Sequence, residues 1–173
     1  PNHIGPKKLI KDNQLLGMHV HYSDKIGEDR LATAYYVYKK YTGTSLCIDT
    51  GTFTTIDLVS TYGLEGGYIL PGLKSLQECY AKGDLLSLPP LNPFNTESIP
   101  QSTEEAINSG VLLSYLSPIK ELIQEISPDN IIITGGNANI LYGALRTCTY
   151  KNISVSKNLI HYGLNLIVQE YIL

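Results

Sequence analysis

Apolar residues recur at Leu31, Ala34, Tyr35 and Tyr38, the i, i+3, i+4, i+7 spacing of one helical face, so a helix is predicted from Glu28 to Tyr41, closed by Gly43. Ahead of it, residues 1–26 show no strong period. Only Met18 to Tyr22 alternates in the manner of a short strand. Behind it come three strand-like runs, Ser45 to Asp49, Thr54 to Val59 and Gly67 to Leu70, parted by Gly51 and by Tyr62-Gly63, which predict an antiparallel meander. Leu73 to Ala81 suits a helix, and Pro89, Pro90, Pro93 and Pro100 predict an extended loop. Ser102-x-x-Glu105 is a capping box that opens the longest helix. Ile119, Leu122, Ile123 and Ile126 carry its apolar face, and Pro118 is expected to kink or restart it. Asn130 to Thr134 is a β-branched strand, Gly135-Gly136 a turn and Ala138 to Leu145 a helix. A strand at Ile153 to Val155 precedes a last helix from Ser156, whose predicted face gathers Ile160, Gly163, Leu164, Ile167 and Tyr171. Clustered strands followed by alternating helices and strands make the class α/β.

Composition narrows the function classes. Of 173 residues, 43% are apolar and 17% charged, which excludes a disordered chain. The net charge of −3 supplies no basic field for a phosphate backbone, so nucleic acid is not an expected partner. The longest apolar runs fall far short of the roughly 18 residues a membrane helix needs, so no membrane association is expected. Cys47, Cys79 and Cys148 form no CxxC pair and read as buried thiols in a reducing compartment. Pro1-Asn2-His3-Ile4 has neither an initiator Met nor a signal pattern, and the sequence is read as lacking a front end.

Five segments can carry chemistry. Asp49-Thr50-Gly51-Thr52-Phe53-Thr54-Thr55 brings an acid, a glycine and hydroxyls together at a strand end, where backbone N–H groups and Thr hydroxyls can meet phosphate and Asp49 can hold a cation. An ordinary hairpin whose threonines reflect strand propensity is the other reading. Gly27-Glu28-Asp29-Arg30 opens the Tyr-rich helix. Asp29 can accept a proton from a hydroxyl while Arg30 grips an anion bidentately, or Asp29 can simply complement the helix macrodipole. Gly66-Gly67-Tyr68-Ile69-Leu70-Pro71-Gly72 is a strand bracketed by glycines that admit a close backbone or ligand. Thr134-Gly135-Gly136 is a turn at the carboxyl end of a buried strand, where α/β clefts open. With Ser102 as the cap, the Thr103 hydroxyl is free at a helix N-terminus; alternatively Thr103 itself caps. His3, His19, His21 and His161 lack metal-ligand spacing. No P-loop, nucleophile elbow or protein-kinase signature occurs.

In order along the chain, Gly27-x-Asp29-Arg30, Asp49-x-Gly51-Thr52-x-Thr54-Thr55-x-Asp57, Gly66-Gly67-x-Ile69-x-Pro71-Gly72, Ser102-Thr103-x-x-Ala106-x-x-Ser109-Gly110 and Thr134-Gly135-Gly136 resemble the motif series of the type III pantothenate kinases. The resemblance implies the acetate and sugar kinase/Hsp70/actin superfamily, with ribonuclease H-like lobes each made of a mixed sheet with flanking helices. It divides the chain into residues 1–44, a remnant of the first lobe with the substrate segment and linking helix, and residues 45–173, the second lobe with its C-terminal helix.

The implied activity is ATP-dependent phosphorylation of pantothenate to 4′-phosphopantothenate, the first step to coenzyme A, in a cytoplasmic homodimer. Magnesium travels with ATP, and a monovalent cation, potassium or ammonium, is required. Residue by residue, the resemblance makes Asp29 the general base and places Tyr22, Gly27, Glu28, Arg30 and Thr103 at pantothenate. It gives Gly51, Thr52, Gly135 and Gly136 to the nucleotide and Asp49 to the cation. The family begins with an Asp-x-Gly-Asn-Thr phosphate hairpin that does not precede Gly27, which implies a piece of a longer kinase. Pro100-Gln101 also stands where the family tends to place a glycine. A non-catalytic regulator or ligand-binding protein on the same fold is the alternative.

Overall fold

The computed structural model describes residues 5–82, 99–146, 148, 150 and 152–172. The predicted loop at Pro89, Pro90 and Pro93, and His3, lie outside the described residues. Eight strands form one mixed sheet: β1 (Ile10–Lys11), β2 (Gln14–Leu15), β3 (Met18–Val20), β4 (Ser45–Thr50), β5 (Phe53–Val59), β6 (Gly63–Pro71), β7 (Asn130–Thr134) and β8 (Ile153–Val155). The helices are α1 (Glu28–Lys40), α2 (Leu73–Glu78), α3 (Thr103–Ile126), α4 (Ala138–Leu145) and α5 (Leu159–Ile172).

Across the sheet the order is β1-β2-β3-β6-β5-β4-β7-β8. The predicted meander is present, since β4–β5 and β5–β6 pair antiparallel, while β7 and β8 extend it in parallel on one side. On the other side β3 joins β6 in parallel and is itself the end of a β1-β2-β3 ribbon. The strand expected at Met18 to Tyr22 is present as β3, whereas β1 and β2 are two residues long, too short to show a period. Asp12 and Asn13 take φ of 50° and 56°, the paired left-handed conformation of a tight hairpin, which Asp and Asn tolerate.

Alternation along the central strands sends side chains to two separate cores. Leu46 and Ile48 of β4, with Ile131 and Ile133 of β7, pack with α3 and α4, whereas Cys47 and Ile132 pack with α1 and α5. Helix α1 lies between sheet and α5 and is buried at Arg30 to Tyr35 and at Val37.

Some expectations change. Strand β6 runs from Gly63, four residues earlier than predicted, because Gly63, read as part of a turn, lies inside it. Gly63 has φ +145°, and a side chain there would collide with the β3 backbone at His19. Helix α3 passes through Pro118 without restarting. Ser114, whose carbonyl loses its N–H partner, is exposed, so water can replace it. On α5, Gly163 and Ile167 are buried, with Gly163 pressed against the Ala32 backbone, but Leu164 and Tyr171 face outward. The cysteines also differ from expectation: Cys47 is buried, Cys148 partly so, and Cys79 is exposed.

Candidate active site

At the N-terminal end of α1 and the β4–β5 turn the surface opens into a cleft of about 550 Å³. The period of two explains its floor. Asp49 lies on the same face of β4 as Cys47, and the antiparallel register pairs Cys47 with Asp57 and Asp49 with Thr55. Those four residues therefore share the face beneath α1. The hydroxyls between them are taken up structurally, Thr50 donating to the Thr134 carbonyl at 2.8 Å and Thr54 pairing with the buried Tyr115 hydroxyl at 3.1 Å. Thr52 and Thr55 remain on the cleft wall, with Gly51, Phe53 and Ile69.

The opposite wall comes from α1 and the segment before it. Tyr22, Gly27, Asp29 and Arg30 line it. Asp29 stands in the first helical turn and accepts the Arg30 amide at 2.8 Å through Oδ1, as an acid complementing a helix start does. A side chain at Gly27 would run into that carboxylate. The Arg30 guanidinium turns down into the floor, where Nε and Nη2 donate to both carboxylate oxygens of Asp57, and the ring of Tyr22 lies 4.5 Å from its central carbon. The pair is buried, with 7% of the Arg30 and 1% of the Asp57 side chain exposed.

The structure thus brings Tyr22, Gly27, Asp29, Arg30, Asp49, Gly51 and Thr52 to one cleft. Glu28, Thr103, Gly135 and Gly136 do not line it. The Glu28 carboxylate sits against Gly5. Thr103 is exposed at the start of α3, where Ser102 is the cap, accepting from the Glu105 amide at 3.2 Å. Gly135 stands directly behind Asp49; at φ +91° it occupies space in which any side chain would strike the Asp49 carboxylate and the Thr50 backbone. Gly136 faces open space.

Arg30 is paired with Asp57, and Asp49 feels the charges of both Asp29 and Asp57. Burial, then the neighbouring charges of Asp29 and Asp57, pushes the Asp49 carboxyl above its ordinary value. Burial also raises Asp57, against the opposing pull of Arg30. Arg30, despite burial, is held more firmly protonated by Asp57 and Tyr22. Among the described residues no group of three or more His, Cys, Asp or Glu is arranged to hold a metal ion, so Asp49 offers one carboxylate in a negative field. That donor set fits a weakly bound monovalent cation completed by carbonyls or water, not an all-protein divalent cage. The residue that sequence reasoning left without a role is Asp57; its signal was an acid within a strand whose neighbours Ile56 and Val59 are buried.

Comparison with known proteins gives the family. The family model for type III pantothenate kinase matches residues 3–125. A type III pantothenate kinase of Hyphomonas neptunium is 32% identical over 147 residues, covering 78% of this chain and 55% of that protein. A solved structure from Campylobacter jejuni, assigned to the Baf family of transcriptional activators, superposes with TM-score 0.61 at 27% identity, over 85% of this chain and 65% of that one. One from Sinorhizobium meliloti, assigned as a 2-dehydro-3-deoxygalactonokinase, superposes at 0.59 with 15% identity over 83% of this chain and 59% of that one, a likeness of fold alone. The chain spans about half the length of the curated relatives it matches.

Proposed function

Because the chain belongs to the type III pantothenate kinase family, we propose that its cleft serves the ATP-dependent phosphorylation of pantothenate to 4′-phosphopantothenate, the first step to coenzyme A. The observation that carries this reading is that Asp29 and Asp49 line opposite walls of one cavity. Asp29 takes the proton of the pantothenate hydroxyl. Its Oδ1 is engaged by the Arg30 amide, which leaves Oδ2 as acceptor, while Arg30 and Tyr22 receive the vitamin. Gly51 and Thr52, at the tip of the β4–β5 turn, meet the phosphates. When bound, ATP supplies the phosphoryl group, and its magnesium and a potassium or ammonium ion at Asp49 offset phosphate charge. Catalysis of this kind rests on positioning and charge neutralisation, which a preformed polar cleft supplies.

Residues 1–44 are the end of a first lobe, with substrate segment and linking helix, and residues 45–173 the second lobe. Thr103, Glu28, Gly135 and Gly136 lie off the cleft, so their roles at pantothenate or nucleotide require the rest of the protein or a homodimer partner. On this reading the protein acts in the cytoplasm. No helix among the described residues is long and apolar enough to cross a membrane. A regulator that binds ligand without turnover is the second reading, supported by the description of the Campylobacter jejuni neighbour.

Incubating the full-length protein with ATP, magnesium and pantothenate in potassium or sodium buffer, and following ADP and phosphopantothenate, separates the two. Product formation that is faster in potassium supports the kinase. Saturable pantothenate binding with no product supports the regulator.

A further inference from the structure

Arg30 faces two ways. Of the five N–H donors in its planar fork, Nε and one on Nη2 are committed to Asp57, Tyr22 is a further hydrogen-bond partner, and the 7% of the side chain left exposed belongs to a residue of the cleft wall. The Tyr22 ring covers one face of the plane. From the same residue, the backbone amide holds Asp29 Oδ1, and the carbonyl accepts the Thr33 hydroxyl at 3.0 Å. A continuous line of hydrogen bonds therefore runs from β5, through the Arg30 side chain and backbone, to the Asp29 carboxylate. The anchor is itself confined: Asp57 is 1% exposed, and a side chain at Gly67 on the adjacent strand would collide with the Ile56 carbonyl of β5 and with the Asp57 carboxylate.

We propose that Asp57 is a positioning residue of this cleft, acting through Arg30 to fix both the guanidinium edge that receives an anionic, hydroxyl-bearing substrate and the carboxylate that takes its proton. This rests on the kinase reading above. A residue that merely held the sheet together would lower the amount of folded protein and leave the kinetics of the folded fraction unchanged. A positioning residue alters the kinetics toward one substrate.

Asp57→Asn in the full-length protein keeps shape and an acceptor while removing the charge that orients Arg30. The expected result is a loss in kcat/KM for pantothenate on the order of 100-fold, the scale of a small misplacement at a reacting centre, with KM for ATP within about twofold of wild type. Joined to Arg30→Gln, it should cost no more than Arg30→Gln alone, because both remove the same device. Should Asp57→Asn fail to fold, Asp57→Glu, which keeps the charge and shifts the carboxylate by one methylene, should raise KM for pantothenate and spare KM for ATP. Unchanged pantothenate kinetics in folded Asp57→Asn or Asp57→Glu, or additive losses in the double variant, would overturn the proposal alone. A wild-type protein that neither binds nor phosphorylates pantothenate would overturn the underlying reading, and the proposal with it.

Discussion

The two walls of the cleft are made differently. On the α1 wall the buried charge is paired within the protein, Arg30 being locked into Asp57, while Asp29 accepts the amide of its own helix start and Lys25 makes no salt bridge among the described residues. On the β4–β5 wall Asp49 has no salt bridge among the described residues, is partly buried and feels two further carboxylates. The buried ion pair of one wall is complete as folded, and the other wall carries a partly buried charge that a ligand must complete. An unpaired, partly buried acid costs stability, and a fold keeps one where a cation or substrate repays it.

Breaking the paired wall should have the largest effect on stability. Arg30→Ala leaves Asp57 buried and uncompensated, so urea unfolding should show a loss of about 3–5 kcal/mol. A smaller loss, about 1–3 kcal/mol, is expected of Gly135→Ala on the other wall, where φ is +91° and the new methyl displaces Asp49. The same variant should lose the rate difference between potassium and sodium.

The smallest effect has the opposite sign. With its carboxyl pushed up in the folded state, Asp49 binds a proton more tightly folded than unfolded. Its contribution to stability therefore falls as pH rises from about 3.9, the ordinary Asp value, through the raised one. Asp49→Asn should be more stable than wild type in cation-free buffer at pH 7, and the advantage should shrink as pH falls toward 4. Unfolding titrations at both pH values check this, and an advantage that persists at pH 4 would remove the charge as its cause.

Much of this comparison was legible before the coordinates. Strands β7 and β8 and helix α4 begin and end where Gly, Pro and β-branched runs predict, and Ser102 caps α3 as its spacing with Glu105 requires. The motifs at Gly27 to Arg30 and Asp49 to Thr55 do meet, which local spacing cannot show because they lie on different elements. What stayed hidden were the long-range partners. Arg30 and Asp57 are 27 residues apart, on a helix and a strand, and only the sheet register places Asp57 beneath α1. The pairing of β3 with β6 was hidden likewise, since the alternation that marks β3 does not name its partner strand and Gly63 inside β6 imitates a turn.

Asp29 is the residue on which turnover should depend most. Rates of pantothenate phosphorylation in the full-length wild type and Asp29→Asn, with calorimetric pantothenate binding in each, test it in one comparison. The predicted result is a rate lower by about 10²–10⁴-fold with binding largely kept, as loss of a general base gives. Equal rates in the two proteins would contradict it.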